Sequence, residues 1–487
     1  LDQHDKRRIG IIGGGLSGLA TAVQLHLADP SLELTLLEAS GRTGGVIQTE
    51  RVDQFIIDHG ADMFATQPPA ALRLCQQLGI DGDLLLPKEQ GRGAKIVRRG
   101  SLVPIPDGFV LMRATQTWPM LTTPLLSPWG KLRWACERWV TPTPPDRDLS
   151  VGQFVRQRLG KEVLERIVAP LVAGIYTADV DRLSMQATMG PILAMQRKHG
   201  SLAKATAARK RAGEDSVERQ SAGARYSQFR AFPQGTSQFI EALGNALPEG
   251  TVRLNAAVAT ISPTTPIGDT SNGGLTHASG SWQVILEGDS PSLLFDHLVL
   301  ATPPMVSARL LHEVAPVAAQ ELATIESAST AIVVMVVRRA DITRPANTFG
   351  FVVPPIEGRS ILACSFASEK FAGRAPEDHV IIRVFIGGTL QSDLLDRDDD
   401  ELRHIARREL SDLIGLRGEP VLDRVVRWNQ AMPQYQVGHL DRVARIEAAL
   451  EPLGSLSLVS NALHGVGIAP IIAAAGQVAE KIVGSLA

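Results

Sequence analysis

Gly13, Gly15 and Gly18 stand in the spacing G-x-G-x-x-G, with Gly14, Leu16 and Ser17 between them, and an acid, Glu38, follows downstream. Glycines so spaced permit a tight turn, close approach of bare backbone to a pyrophosphate, and close packing of a helix on a strand. A carboxylate about 20 residues beyond the last glycine is placed to accept from ribose hydroxyls. That chemistry needs a strand before the turn, a helix after it, and a second strand ending at the acid. All three are present. "RRIGII" (7–12) reads as a buried strand, "LATAVQLHLA" (19–28) suits a helix, and "LELTLLE" (32–38) alternates and ends on Glu38. The helix start offers free N–H groups and a positive dipole end to phosphates. The ligand is a dinucleotide.

"GRTGG" (41–45) decides which one. It sets a cation, Arg42, and two flexible residues, Gly44 and Gly45, directly after the ribose acid. An arginine there can reach the pyrophosphate, and paired glycines let the backbone pass close to it. A dehydrogenase that binds and releases NAD has no need of this second clamp, whereas a permanently held cofactor does. The expected cofactor is FAD. The segment resembles the R-x-G-G-R signature of the flavin amine-oxidase superfamily, with Val46 in the place of the last arginine.

No acid–base dyad, metal cluster or activated nucleophile stands out beside these motifs, as expected where a cofactor carries the chemistry. Cys75, Cys136 and Cys364 are scattered, with no C-x-x-C, and read as free thiols of a reducing compartment; no metal is expected. His464 is either a proton acceptor near a C-terminal glycine loop or a hydrogen-bonded structural histidine. A formal net charge of −2 leaves no nucleic-acid footprint. The opening "LDQHDKRR" has no apolar segment of signal-peptide type, so a cytoplasmic location is expected. Residues 114–130 lack charge but are interrupted by Pro119, Pro124 and Pro128, which excludes a spanning helix. With Trp118, Trp129, Trp134 and Trp139 nearby and Lys131, Arg133 and Arg138 interleaved, this stretch suits a peripheral membrane surface or an ordinary buried region. Both readings stay open, as does the oligomeric state.

Residues 148–176 are amphipathic and helical, with Ser150 as N-cap. Residues 203–227 mix Lys, Arg, Glu, Gly and Ser without apolar periodicity and read as a mobile insertion. Strands are expected in "VRLNAAVATI", "WQVILEG", "DHLVLATPP", "AIVVMVV" and "HVIIRVFIGG". The C-terminal "LSLVSNALHGVGIAPIIAAAGQVAEKIV" is a strand, a glycine turn and a helix starting near Pro470. This last unit implies that the chain returns to complete the domain begun at its N-terminus.

Longer motifs carry a closer likeness. "GGVIQTERVDQFIIDHGADMF" (44–64), "PLVAGIYTADVDRLSM" (170–185), "RKHGSL" (197–202) and "RWNQAMPQYQVGH" (427–439) resemble the protoporphyrinogen and coproporphyrinogen oxidase family, a likeness running from about residue 7 to 484. The resemblance implies an amine-oxidase-like α/β fold. Its Rossmann-like FAD-binding domain would be assembled from residues 5–90, 228–302 and 428–487. An α+β substrate domain would comprise 91–105 and 303–427, and a helical domain 106–227, mobile at 207–227, with membrane association one of the two readings given above. It further implies dioxygen-using, FAD-dependent oxidation of a porphyrinogen to a porphyrin in haem synthesis, with hydride passing to flavin N5.

By the same resemblance, residues 13–18, Glu38, Ala39, Arg42 and Val46 fall on the pyrophosphate and ribose segments. Gly60, Ala61, Asp62 and Met63 pass the isoalloxazine. Val258 grips adenine, and Asn461 with Val466, Gly467 and Ile468 forms the closing flavin loop. A porphyrinogen also needs an acceptor for its pyrrole N–H groups and a cation for its propionates. Asp62 is the acceptor candidate, a turn-capping aspartate the other reading. Gly174 matches a glycine lying at the substrate, with a helix C-cap as the alternative. Some members carry an arginine where Ala94 stands here; Lys95, Arg92 or Arg98 could replace it or be surface charges. Proto- versus coproporphyrinogen stays open. Two rival functions use the same scaffold. An amine oxidase needs an aromatic cage, poorly supplied by Tyr176, Tyr226 and Tyr435 though Trp428 is available. A non-catalytic protein that escorts a lipidated partner has no need of the phosphate-binding glycines and Glu38.

Overall fold

Five short strands explain how three distant pieces of sequence make one cofactor domain. In the computed structural model, which describes residues 7–486 apart from 92, 111, 145–146, 213–225, 265–280 and 289–290, they form a single parallel sheet. Their order is Val252–Arg253, Glu33–Leu37, Arg8–Ile12, His297–Leu300 and Leu456–Leu458. Ile9 and Ile11 of the central strand are fully buried, as a strand covered on both faces requires. Helices Leu16–Ala28 and Ile468–Leu486 pack together on one face, where the Gln24 amide donates to the Ile472 carbonyl (3.2 Å). The first and last motifs of the sequence therefore lie side by side. On the opposite side sit a three-stranded antiparallel sheet (Val258–Pro263, Trp282–Leu286, Leu293–Phe295) and the helices Pro304–Leu311, Pro316–Ala323 and His439–Leu450.

A seven-stranded sheet forms the second body, in the order Leu422–Pro433, Ser327–Arg338, His379–Gly387, Ala363–Phe366, Gly350–Val352, Ala94–Arg98 and Ser101–Pro104. Its long strand Ser327–Arg338 alternates strictly: Ala331, Val333, Met335 and Val337 join one core, while Ile332, Val334 and Val336 join another. Both faces are buried, which is why "AIVVMVV" is apolar throughout. Helix Asp399–Ile414 covers the first of these cores.

The third body is helical and packs around Phe154, Ile167 and Met185. Ser150 caps helix Val151–Arg158 through a capping box with Gln153. The run expected as one helix over 148–176 is broken at Gly160, whose φ of 96° interrupts it before helix Ala169–Tyr176. Buried Arg158 pairs with buried Glu137 (2.5 Å), and that carboxylate also accepts from the N–H groups of Leu202 and Ala203. It thereby caps helix Leu202–Arg211.

Three expected boundaries shift. Strand Leu422–Pro433 runs through the division at 427/428, because it pairs along the length of Ser327–Arg338. Helices Pro304–Leu311 and Pro316–Ala323 belong to the cofactor domain's core and not to the substrate sheet. Residues 207–211 continue a helix anchored by buried Leu202 and Ala205, while 213–225 lie outside the described residues.

His297, buried in the parallel sheet, meets the Ser457 hydroxyl at 2.9 Å. Burial, aided by the Lys481 charge, pushes its pKa down to about 4. The unfolded chain takes up this proton first as pH falls, so the neutral histidine's contribution is lost between the ordinary value of 6.5 and about 4. The expected loss is about 3 kcal/mol relative to His297→Gln, which cannot titrate. Thermal midpoints of both proteins across that window should diverge, wild type falling faster. Parallel curves would contradict a neutral buried His297.

Candidate active site

The dinucleotide turn is built as its glycines demand. The Gly13 N–H donates to the Leu37 carbonyl (2.8 Å), and with φ at +108° any side chain would meet the Ala301 backbone. Gly15 caps helix Leu16–Ala28 with no side-chain partner, and a Cβ built there meets nothing within 4 Å. A Cβ at Gly18 would be driven into the Gly13 carbonyl. So Gly15 keeps space open over the helix N-terminus, and Gly18 lets helix and turn touch. Glu38, at the tip of strand Glu33–Leu37, accepts from the N–H groups of Gly14 (2.7 Å) and Ser40 (2.8 Å), which fixes its carboxylate. Gly44 donates to the Gly14 carbonyl (2.8 Å), laying the second glycine pair beside the first turn. Arg42 departs from expectation. Its guanidinium folds onto the carbonyls of Thr43, Gly45 and Ile47, where it shapes the loop, and it does not line the cavity; Val46 does.

From this turn a cavity of about 880 Å³ runs to the seven-stranded sheet. Gly13, Gly15, Leu16, Ser17, Glu38 and Ala39 line one end, with Val258, whose carbonyl accepts from Arg309 (2.9 Å). Gly60, Ala61, Asp62 and Met63 lie further along, as do Asn461, Val466, Gly467 and Ile468 at the start of helix Ile468–Leu486. Gly14, Gly18 and Arg42 are structural supports behind the wall. The arrangement fits FAD: an open helix N-terminus, a fixed ribose acid, and a second helix N-terminus further along.

The closing loop has a support that sequence reading missed. The buried Tyr435 hydroxyl donates to the Asn461 carbonyl (2.5 Å) and accepts from the Gly465 N–H (2.7 Å). Its ring stacks on His439 at 4.0 Å, and His439 Nε2 reaches the Leu463 carbonyl at 3.1 Å. Tyr435 thus braces the loop and is no part of an aromatic cage. Neither it nor Tyr176 lines the cavity, although Trp428 does, packed so closely that a side chain on Gly60 would strike its ring. Of the two readings of His464, the structure fits the hydrogen-bonded one: its ring turns outward to Glu447 (2.7 Å).

Asp62 is neither a turn cap nor a free acceptor. Its carboxylate meets Lys370 Nζ (2.5 Å) and Arg383 Nη1 (3.0 Å), and all three residues are buried at the cavity wall. Burial alone would raise its pKa, but the charges of Lys370 and Arg383 hold it well below the usual carboxylate range. Arg383 also donates through Nη2 to the Gly60 carbonyl. Behind them Asp58 accepts from the Thr49 hydroxyl (2.6 Å) and the Thr236 N–H (2.8 Å), with Arg374 at 3.5 Å. Lys370 and Arg383 were absent from the sequence reading. The available signal was Arg383 itself, a lone charge inside the apolar run "VIIRVFIG".

Gly174 lines the cavity from the last turn of helix Ala169–Tyr176, whose left-handed cap is Thr177 and not the glycine. Lys95 is not brought to the site: its ammonium donates to the Ala346 carbonyl (2.5 Å). Arg98 does not line the cavity either, and Arg92 lies outside the described residues. Among the described residues no group of three His, Cys, Asp or Glu side chains could hold a metal.

Comparison with known proteins agrees with this geometry. The family of flavin containing amine oxidoreductases matches over residues 16–482. A coproporphyrinogen III oxidase of Propionibacterium freudenreichii subsp. freudenreichii is 33% identical, over 97% of this chain and 90% of the relative. A chloroplastic protoporphyrinogen oxidase of Nicotiana tabacum is 27% identical, over 98% and 85%. A crystal structure from Exiguobacterium sp. 255-15, provisionally named a protoporphyrinogen oxidase, superposes with a TM-score of 0.83 at 28% identity, covering 99% of this chain and all of that one. The chain belongs to the flavin containing amine oxidoreductase family, and its cofactor is FAD.

Gly15 and Gly18 should separate by experiment. Gly15→Val places a side chain in open space, so the variant should fold, with soluble yield and helix content as in wild type, yet carry no flavin absorbance. Gly18→Val drives a side chain into the Gly13 backbone and should fail to give soluble protein. A flavin-loaded Gly15→Val would contradict this placement of the pyrophosphate.

Proposed function

We propose that this member of the family is an FAD-dependent, dioxygen-using oxidase that converts coproporphyrinogen III to the porphyrin in haem biosynthesis. The observation that carries the reading is near full-length similarity to the P. freudenreichii coproporphyrinogen III oxidase, 33% against 27% for the tobacco protoporphyrinogen oxidase. The cavity suits the substrate. Beyond the flavin-binding segments its wall includes Ile332, Phe349, Phe351, Val352 and Phe385, an apolar surface for a broad macrocycle, with Gly174 beside Val352. When bound, the flavin supplies a hydride acceptor for a meso carbon. The chain's contribution is to hold that carbon at near contact distance and keep water out, a large part of the barrier reduction in such reactions.

The test is aerobic growth of porphyrin fluorescence with each porphyrinogen on one flavin-loaded preparation. Coproporphyrinogen III should be favoured over protoporphyrinogen IX by roughly tenfold or more in kcat/KM, about 1.4 kcal/mol of transition-state binding. Preference for protoporphyrinogen IX would reverse the assignment, and turnover of primary amines alone would replace it with amine oxidation.

We further propose that the protein works in the cytoplasm, held peripherally at the membrane by its helical body. Trp118, Trp129 and Trp139 are 73%, 78% and 74% exposed, and Leu121 and Leu132 lie one helical turn from the first two. The Arg138 guanidinium lies 5.3 Å from the Trp139 ring centroid, pairing a cation with an apolar face as interfacial anchors do. No helix among the described residues is long and apolar enough to cross a membrane. Flotation with vesicles containing phosphatidylglycerol should carry the wild type upward, and Trp118→Ser, Trp129→Ser, Trp139→Ser combined should abolish it. Equal flotation of both would remove these tryptophans as the anchor.

A further inference from the structure

The buried cluster at the cavity wall is not charge-balanced. Asp58 and Asp62 are its carboxylates; Lys370, Arg374 and Arg383 are its cations, each of the five under a tenth exposed. Among the described residues, one cation is in excess. Burying an uncompensated charge is costly, and such a group sheds or takes a proton when it can. An arginine cannot, so Arg383 on Asp62 (3.0 Å) and Arg374 near Asp58 (3.5 Å) stay charged, although Lys370 Nζ is the nearer partner of Asp62 (2.5 Å). Lys370 is the one member able to restore neutrality.

Among the described residues, the rest of the cavity offers no other base at this end. Glu38, Glu287 and Arg309 line it beside residues 256–258, at the adenine end. Near the sheet, the titratable groups among the described lining residues are Asp62, Cys364, Lys370 and Arg383. Arg383 cannot accept a proton. The Cys364 thiol, fully buried, is pushed up by burial and is inert. Asp62 stays a weakly basic carboxylate whichever state Lys370 takes, because Arg383 at 3.0 Å cannot give up its charge.

We propose that neutral Lys370 is the proton acceptor for the substrate's pyrrole N–H groups, held neutral by Arg383 and Arg374. The inference rests on the porphyrinogen reading above. In each two-electron step the meso C–H bond breaks, and a bound flavin would accept its hydride. The pyrrole N–H bond breaks and its proton passes to the Lys370 amine, and the electron pair left on nitrogen completes the new conjugated double bond. Flavin and dioxygen would together take up the hydride's two electrons and proton, and the proton leaving Lys370 would complete hydrogen peroxide and restore the amine. Lys370 faces Asp62 from the loop after Asp58, Arg383 and Cys364 from neighbouring strands, and Arg374 from its own following loop. Burial lowers its pKa from the ordinary 10.5, Asp62 opposes, and Arg383 and Arg374 lower it further.

Anaerobic mixing of the holoenzyme with coproporphyrinogen III, followed by flavin bleaching at a series of pH values, tests this. Wild type should bleach faster as pH rises through one ionisation below 10.5 and then level off. Lys370→Met should load flavin, bleach about 10²-fold more slowly, and lose that rise. Lys370→Arg should be equally slow, because it keeps the charge but supplies no base; a wild-type rate there would overturn the proposal in favour of a cation for a propionate. Should Lys370→Arg fail to load flavin, Lys370→Ala with added methylamine serves instead. Restored bleaching supports the base role and none overturns it. Arg383→Gln should move the rise to higher pH. Without substrate, the flavin absorbance of wild type should titrate in the same range and that of Lys370→Met should not; no such titration in wild type would overturn the neutral lysine. If wild type is bleached by neither porphyrinogen, the functional reading fails, while this substrate-free titration still decides the state of Lys370.

Discussion

One carboxylate shared by a lysine and an arginine holds the cofactor domain and the seven-stranded sheet in register. Asp62 belongs to the segment that leaves the cofactor domain after Asp58; Lys370 and Arg383 belong to the seven-stranded sheet. Arg383 also takes the Gly60 carbonyl, and Arg374 approaches Asp58, so every buried charge at the wall bridges the same junction. Charges removed from water are stable only as a complete set, and loss of one partner typically costs about 3 to 5 kcal/mol. The segment 60–63 is therefore fixed where the cofactor end of the cavity meets the substrate end.

Removing a hydride and a proton from an apolar macrocycle sets opposing demands on such a site. The ring needs a dry, apolar wall, supplied by the sheet; the departing proton needs a base, which a dry wall resists. An odd cation in a buried cluster meets both. It makes a neutral amine the favoured state without opening the cavity to water, and two arginines that cannot titrate keep it so.

Much of this was legible in the sequence because it is local. The turn at 13–18, the acid at Glu38 and the strand–helix–strand order depend on residues close in the chain, and each stands where its spacing places it. The last helix lies beside the first because both present glycine-preceded N-termini to one ligand. What sequence could not show depends on long-range pairing. Lys370 and Arg383 lie more than 300 residues from Asp62, and nothing near either marks them as partners. Lys95 and His464 kept two readings each for the same reason: a charge beside a motif says nothing of its direction, and the first turns to Ala346, the second to Glu447. The Tyr435 brace was visible only as part of a motif, since its hydroxyl joins Asn461 to Gly465 across the loop.

The distance from Lys370 Nζ to the nearest pyrrole nitrogen, in a crystal of the flavin-loaded protein with the porphyrin product bound, tests the central claim most directly. A proton acceptor must stand within roughly 2.6–3.2 Å of that nitrogen, directly or through one water. An Nζ found instead on a propionate oxygen, or sealed from the macrocycle behind the Asp62 carboxylate, contradicts it.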